Sequence, residues 1–198
     1  LFWETAAAAF PKADGIIRLE WSRSAESADA HPELIATTRT LGDLPRLWRA
    51  RIAETLHPGP EARRNTKAVD VAAYDASRAA MRRAGVQEVL LFRADDALVE
   101  GCRSNILVVQ EDGVLSTPDL ALGGVEGLGL EILRENRREL QFARIDKESL
   151  LHAREIMAVN AVRGVVPIIE LDGRPVGTGS AGRVTAALAA LFGRAAVA

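Results

Sequence analysis

Four strand-like segments at 86–93, 97–100, 105–110 and 114–117, separated by turns at Asp95-Asp96 and Asp112-Gly113, limit most strongly what this chain can fold into. Turns that short join neighbouring strands antiparallel. Ahead of them, residues 69–84 fit an alanine-rich helix with Arg78, Arg82 and Arg83 on its polar side, and Gly85 supplies the left-handed stop. Behind them a helix is expected over 127–140 and a second over 147–153, with Asp146 as its N-cap. A strand at Glu155–Asn160 follows. Segments 167–170 and 174–176 then flank an Asp172-Gly173 hairpin turn, and a last helix from about 181 is expected to be capped by Ser180. The pattern is α/β in the α+β sense, with mixed sheets.

Upstream, residues 1–13 read as an alanine-rich helix, followed by strands at 16–22 and 34–39 with a polar loop over 24–32 between them. One helix and two strands are too little for an independent domain. Residues 1–50 are therefore expected to be the remnant of a small N-terminal α/β domain, and residues 51–198 the large domain. The arginine-rich stretch 47–64, broken by His57-Pro58-Gly59-Pro60, reads as the linker between them.

At 198 residues and 48% hydrophobic content the chain can bury a full core, and a formal net charge of -2 gives it no bulk attraction to nucleic acid or anionic membrane. No apolar run reaches membrane-span length, and the single cysteine, Cys102, excludes an intramolecular disulfide, so a cytoplasmic protein is expected. His31, His57 and His152 lack ligand spacing and support no metal site. Gly177-Thr178-Gly179-Ser180-Ala181-Gly182 satisfies G-x-G-x-x-G, but no returning strand follows it, so a hairpin exit explains those glycines better than a dinucleotide site.

Lys67 is one of three lysines beside twenty-two arginines, and Glu100 stands thirty-three positions after it, in Val-Glu-Gly-Cys-Arg-Ser-Asn. A pyridoxal-phosphate site needs that pair of groups: an amine for a Schiff base and an anion facing the pyridine nitrogen. On composition alone Lys67 would be a surface lysine and Glu100 a hairpin-end glutamate facing water. A carboxylate about 4 Å from the pyridine nitrogen contributes about 4 kcal/mol at an effective dielectric near 20, enough to keep the ring protonated.

With a third segment, Asn160-Ala161-Val162-Arg163-Gly164-Val165-Val166-Pro167, these residues resemble the fold-type IV pyridoxal-phosphate enzymes, the class IV aminotransferase family, over roughly residues 15 to 190. The Asn-Ala-x-Arg-Gly form of that segment looks most like 4-amino-4-deoxychorismate lyase. The resemblance implies Lys67 as the catalytic lysine, acting as base and acid, and pyridoxal 5'-phosphate held by Lys67, Glu100, Ser104, Asn105, Gly124, Val125, Glu126, Asn160 and Ala161. Arg163 would bind a substrate carboxylate, or would be a solvated loop arginine. Within Gly123-Gly124-Val125-Glu126-Gly127, matching the phosphate loop, Glu126 and Leu130 depart from the family pattern. Tyr74 is expected in the core, and Cys102 as a small buried packer.

The activity implied is elimination of pyruvate from aminodeoxychorismate to leave 4-aminobenzoate, a folate precursor. The alternative is an aminotransferase for branched-chain or D-amino acids. A further alternative is a non-catalytic or truncated relative, since family members carry a segment ahead of the point where this chain starts. A homodimer acting on a small molecule is expected, with no nucleic-acid or membrane partner.

Overall fold

The computed structural model describes residues 15–22, 33–43, 45–60, 72–137 and 139–192; the expected helix over 1–13, the loop over 24–32 and Lys67 lie outside them. The chain divides into two compact units, Leu1–Leu44 and Pro45–Ala198. In the first, β1 (Gly15–Ser22) and β2 (Glu33–Thr40) pair antiparallel in unbroken register from Gly15↔Thr40 to Ser22↔Glu33.

The second unit carries a nine-stranded mixed sheet among the described residues. In chain order its elements are β3 (Trp48–Ile52), α1 (Ala72–Ala84), β4 (Glu88–Phe92), β5 (Leu98–Gly101), β6 (Asn105–Val109) and β7 (Leu115–Pro118). Then come α2 (Leu128–Asn136), β8 (Gln141–Ala143), α3 (Lys147–Leu151), β9 (Glu155–Asn160), β10 (Gly164–Leu171), β11 (Arg174–Pro175) and α4 (Arg183–Ala190). The spatial order is β5-β4-β3-β10-β9-β6-β7-β8, with β11 on β10. β3 runs parallel to both β4 and β10, and the β4–β5 and β6–β7 hairpins pair antiparallel as their turns predict. The sheet curls until its ends meet: the Leu98 N–H donates to the Ile145 carbonyl at 2.7 Å, and Arg144 and Lys147 pair with Asp95 and Asp96 across the closure.

Both faces of the curled sheet are buried, and the two-residue period of a strand sorts the side chains between them. Leu90, Phe92, Ile106, Val108, Ile156 and Ala158 line the inside with Trp48, Leu98 and Ile168. Their alternates go outward. Leu107, Val109, Met157 and Val159 lie under α2 and α4, and Val89 and Leu91 lie under α1 beside Tyr74 and Cys102. Cys102 is the buried packer expected, and burial pushes its thiol up to about 11.

The described part of the expected linker over 47–64 behaves differently. Trp48 and Ala50 are buried and Arg49 and Arg51 exposed, so β3 is a central strand whose alternation is disguised by two outward arginines. A boundary at residue 50 would fall inside it. His57, read as linker, is buried, with its N–H donating to the Phe92 carbonyl at 2.7 Å. β8 was not anticipated, and β10 begins at Gly164 with Pro167 inside it; Pro167 precedes the first residue paired to β3, Ile168.

Helix ends follow local chemistry with one exception. Gly85 takes φ +63 beyond α1, and Asp146 caps α3 by accepting the Ser149 N–H at 2.8 Å. The helix expected to be capped by Ser180 instead starts after Gly182, and Glu155, at the head of β9, reaches its first turn. Its carboxylate accepts the Val184 N–H at 3.0 Å, the Thr185 N–H at 2.8 Å and the Thr185 hydroxyl at 2.6 Å. A carboxylate there satisfies orphan donors and meets the positive end of the helix dipole. Among the described residues no helix is long and apolar enough to cross a membrane. Replacing Glu155 by Ala is expected to cost about 2 kcal/mol in denaturant unfolding; a loss below about 0.5 kcal/mol would mean that water caps the helix equally well.

Candidate functional site

Glu100 is aimed by an irregularity in strand pairing. Phe92 pairs with Leu98 and Leu91 with Glu100, so one extra residue, Val99, is accommodated on β5. Without that bulge Glu100 would share the inner face with Leu98. With it, Glu100 stands opposite Leu91 on the outer face, where α1 packs, and it is only 3% exposed.

Burying a carboxylate is costly unless donors replace its water. Here Oε2 accepts the Val125 N–H at 2.8 Å and Oε1 accepts the Tyr74 hydroxyl. Tyr74 in turn meets Nε2 of His57 at 2.8 Å, and the Gly59 N–H donates to Nδ1 of the same ring at 3.0 Å. Because Nδ1 accepts, the ring proton resides on Nε2, and the donors run in one direction, from Gly59 through His57 and Tyr74 to Glu100. Tyr74 lies in the core as expected, and from there its hydroxyl reaches Glu100. No spacing rule links positions 57, 74 and 100, so sequence alone carried no signal for this chain of contacts.

The Gly123–Gly127 loop crosses this face. An added Cβ at Gly123, which takes φ +103, would stand 2.6 Å from the Pro60 nitrogen, and one at Gly124 would stand 3.2 Å from the Val99 carbonyl oxygen. Asn105 holds the loop, its Nδ2 donating to the Val125 carbonyl at 2.7 Å. Gly127 then starts α2 with no side-chain cap, leaving first-turn N–H groups for another acceptor. An added Cβ on Gly129 would stand 3.1 Å from the Asn160 carbonyl carbon, so the start of α2 and the β9–β10 turn meet.

The residues expected to hold a cofactor therefore divide. Glu100, Asn105, Gly124 and Val125 come together on the outer face beside the start of α2, and Ala161 is exposed on the adjoining turn. Glu126 turns outward and pairs with Arg134 at 3.2 Å, away from its neighbours' backbone. Leu130, 2% exposed, packs among Leu107, Leu133 and Met157. Asn160 builds the turn: its Oδ1 accepts the N–H groups of Val162 at 3.0 Å and Arg163 at 2.8 Å. Arg163 is half-buried in that turn, unlike a freely solvated loop arginine. Ser104 lies on the opposite face from Glu100, because its hydroxyl is given to a second buried acid, Glu88.

Glu88 was not anticipated. It is fully buried, accepts the Val89 N–H at 2.9 Å, and abuts Gly101 so closely that an added Cβ would stand 2.8 Å from its carboxyl carbon. Burial pushes its pKa up to about 7, with Ser104, Val89 and Arg103 offsetting part of that rise. Arg103 lies over the Trp48 ring at 5.2 Å. Among the described residues no group of three or more His, Cys, Asp or Glu is placed to hold a metal ion.

Residues 3–171 match the family described as Amino-transferase class IV. The chain is 29% identical over 101 residues to a D-alanine aminotransferase of Bacillus licheniformis, a match covering 50% of this chain and 35% of that protein. It is 31% identical over 126 residues to a branched-chain-amino-acid aminotransferase of Pseudomonas aeruginosa, covering 61% of this chain and 41% of that one. The chain thus spans less than half the length of these two relatives. Its fold superimposes on that of a fold IV-transaminase from Curtobacterium pusillum at a TM-score of 0.79 and 22% identity, covering 96% of this chain and 68% of that one. The mixed α/β architecture is accordingly that of fold-type IV.

Glu88 makes stability depend on pH. Its folded pKa lies above the unfolded value of 4.5, so its contribution to stability is fully present below 4.5 and is lost as pH rises through about 7. Glu88→Gln is expected to stabilise the protein at pH 8 by up to about 3 kcal/mol and to change little at pH 4.5. Denaturant unfolding at both pH values checks this, and an equal effect at the two would sink it.

Proposed function

The chain belongs to the class IV amino-transferase family, and from that premise we propose that it holds pyridoxal 5'-phosphate and transfers the amino group of an amino acid to a keto acid, working as a homodimer in the cytoplasm. The observation that carries this reading is Glu100: a buried carboxylate, aimed by a bulge and supplied with two donors, beside an uncapped helix start. These features suit the two ends of the cofactor. An anion fits the pyridine nitrogen, and first-turn N–H groups fit a phosphate. Glu126, drawn off to Arg134, adds no charge at the loop backbone.

Bound pyridoxal phosphate supplies an electron sink for charge developing at the amine-bearing carbon of the substrate. Glu100 would hold the counter-charge that keeps the ring protonated. Lys67 would take the proton from that carbon and deliver it to the aldehyde-derived carbon of the cofactor, which requires the lysine to be neutral part of the time and so placed near positive charge or away from water. The backbone of Gly124 and the start of α2, with Ala161, would bind the phosphate, while Val125, whose N–H is given to Glu100, ties the loop to that carboxylate, and Asn105 and Asn160 fix the segments around it. Arg163 orients the substrate carboxylate with its planar donors.

Amino-group transfer thereby replaces pyruvate elimination as the first reading. What supports the change is that the matched relatives are named D-alanine and branched-chain aminotransferases. The Asn-Ala-x-Arg-Gly segment, from which the lyase was expected, forms a turn held by Asn160, and a turn of that kind serves either chemistry.

Borohydride reduction with pyridoxal phosphate is expected to label Lys67 and to leave Lys12 and Lys147 unmodified, as read by peptide mass spectrometry. Glu100→Gln is expected to lower kcat for amino-group transfer by about a hundredfold or more. Release of 4-aminobenzoate without any transfer from amino acids would restore the lyase, and absence of labelling at Lys67 would remove the pyridoxal reading altogether.

A further inference from the structure

We infer that Tyr74 and His57 are positioning residues for Glu100, a chain of donors anchored on the Gly59 backbone that holds the carboxylate facing the cofactor ring. The inference rests on the pyridoxal reading above and deepens it. All three side chains are at least nine-tenths buried: His57 is 4% exposed, Tyr74 5% and Glu100 3%. Their contacts have a fixed direction. The Gly59 N–H can only donate, so Nδ1 of His57 accepts and Nε2 carries the proton. Nε2 then donates to the Tyr74 oxygen, which leaves the phenolic proton for Glu100. Each link orders the next.

The segments joined are distant in the sequence. His57 follows β3 and is tied to β4 through the Phe92 carbonyl, Tyr74 lies in the first turn of α1, and Glu100 sits just past the β5 bulge. The His57 ring stands edge-on to Tyr74, with centroids 5.8 Å apart and planes at 81°, an arrangement that limits swinging of the phenol. A carboxylate with one fixed donor, the Val125 N–H, can still turn about its Cγ–Cδ bond. A second donor on the other oxygen fixes its plane, and that orientation sets how it meets a ring nitrogen. Tyr74 and His57 act through Glu100 and need not touch the cofactor.

The chain contains one tyrosine, so protein labelled with tyrosine bearing carbon-13 at Cζ gives a single NMR resonance that reports this phenol without cofactor. That resonance is expected to move in Glu100→Gln and in His57→Leu, and to return toward its original position in His57→Gln, whose amide N–H replaces the Nε2 donor. In the loaded enzyme Tyr74→Phe is expected to weaken cofactor affinity and to lower kcat on the order of tenfold, with KM changed by less than about threefold. An unmoved resonance in Glu100→Gln overturns the inference. So does a Tyr74→Phe protein with normal cofactor affinity and kcat and only a lower melting temperature, because that outcome describes packing; the pyridoxal reading would stand. A wild-type protein that takes up no cofactor overturns both.

Discussion

A carboxylate buried to 3% exposure is the constraint around which this structure is arranged. Left without partners, such a group would cost several kcal/mol of desolvation, more than a marginally stable domain can carry at a single position. Donors must therefore reach it, and in this fold they arrive from opposite directions. One is a backbone N–H from the loop before α2, the other a phenol from α1. Each arrival imposes conditions of its own. The loop can come close only because residues 123 and 124 lack side chains, since a Cβ at Gly123 would meet the Pro60 backbone. The phenol is met by an imidazole, which is oriented by the Gly59 N–H.

The same hairpin carries a second buried acid under opposite conditions. Glu88 and Glu100 belong to adjacent strands, yet the bulge puts them on different faces of the sheet. Glu88 looks inward, where the Ser104 hydroxyl and the backbone of Val89 and Arg103 supply hydrogen bonds, and burial still raises its pKa to about 7. Glu100 looks toward two helices and their loops. A single extra residue on β5 thus separates a group suited to carrying a proton from one held as an acceptor on both oxygens. The Gly101–Ser104 turn between them is tight, with the Gly101 N–H on the Ser104 carbonyl at 2.7 Å and no room for a side chain at residue 101.

Closure of the sheet explains why the site can lie outside it. The interior is filled by Trp48, Phe92, Ile106, Ile156 and their neighbours, leaving a packed core. Functional groups therefore gather where β5, β6 and the β9–β10 turn end together and where α2 begins. Gly129 is the close contact that brings helix and turn together, because any larger residue there would push α2 off the backbone of Asn160. That approach places an uncapped helix start, a half-buried arginine and the Glu100 loop in one neighbourhood of a rigid scaffold.

Features set by short-range chemistry were legible in the sequence: the β4–β5 and β6–β7 hairpins, the Gly85 stop, the Asp146 cap, and the Asp172-Gly173 turn with both residues at positive φ. Each depends on residues within a few positions, where turn geometry and side-chain period act directly. What the sequence hid depends on contacts between distant segments. β3 was masked because its outward positions are arginines, Glu155 caps a helix that begins 28 residues later, and Ser104 belongs to Glu88. Tyr74 and His57 read as core and linker because nothing in their spacing records that a bulge turns Glu100 toward them. Local propensity and turn chemistry determined the elements; only tertiary packing decided which buried polar groups would share hydrogen bonds, since a buried donor or acceptor must find its partner wherever the fold brings one.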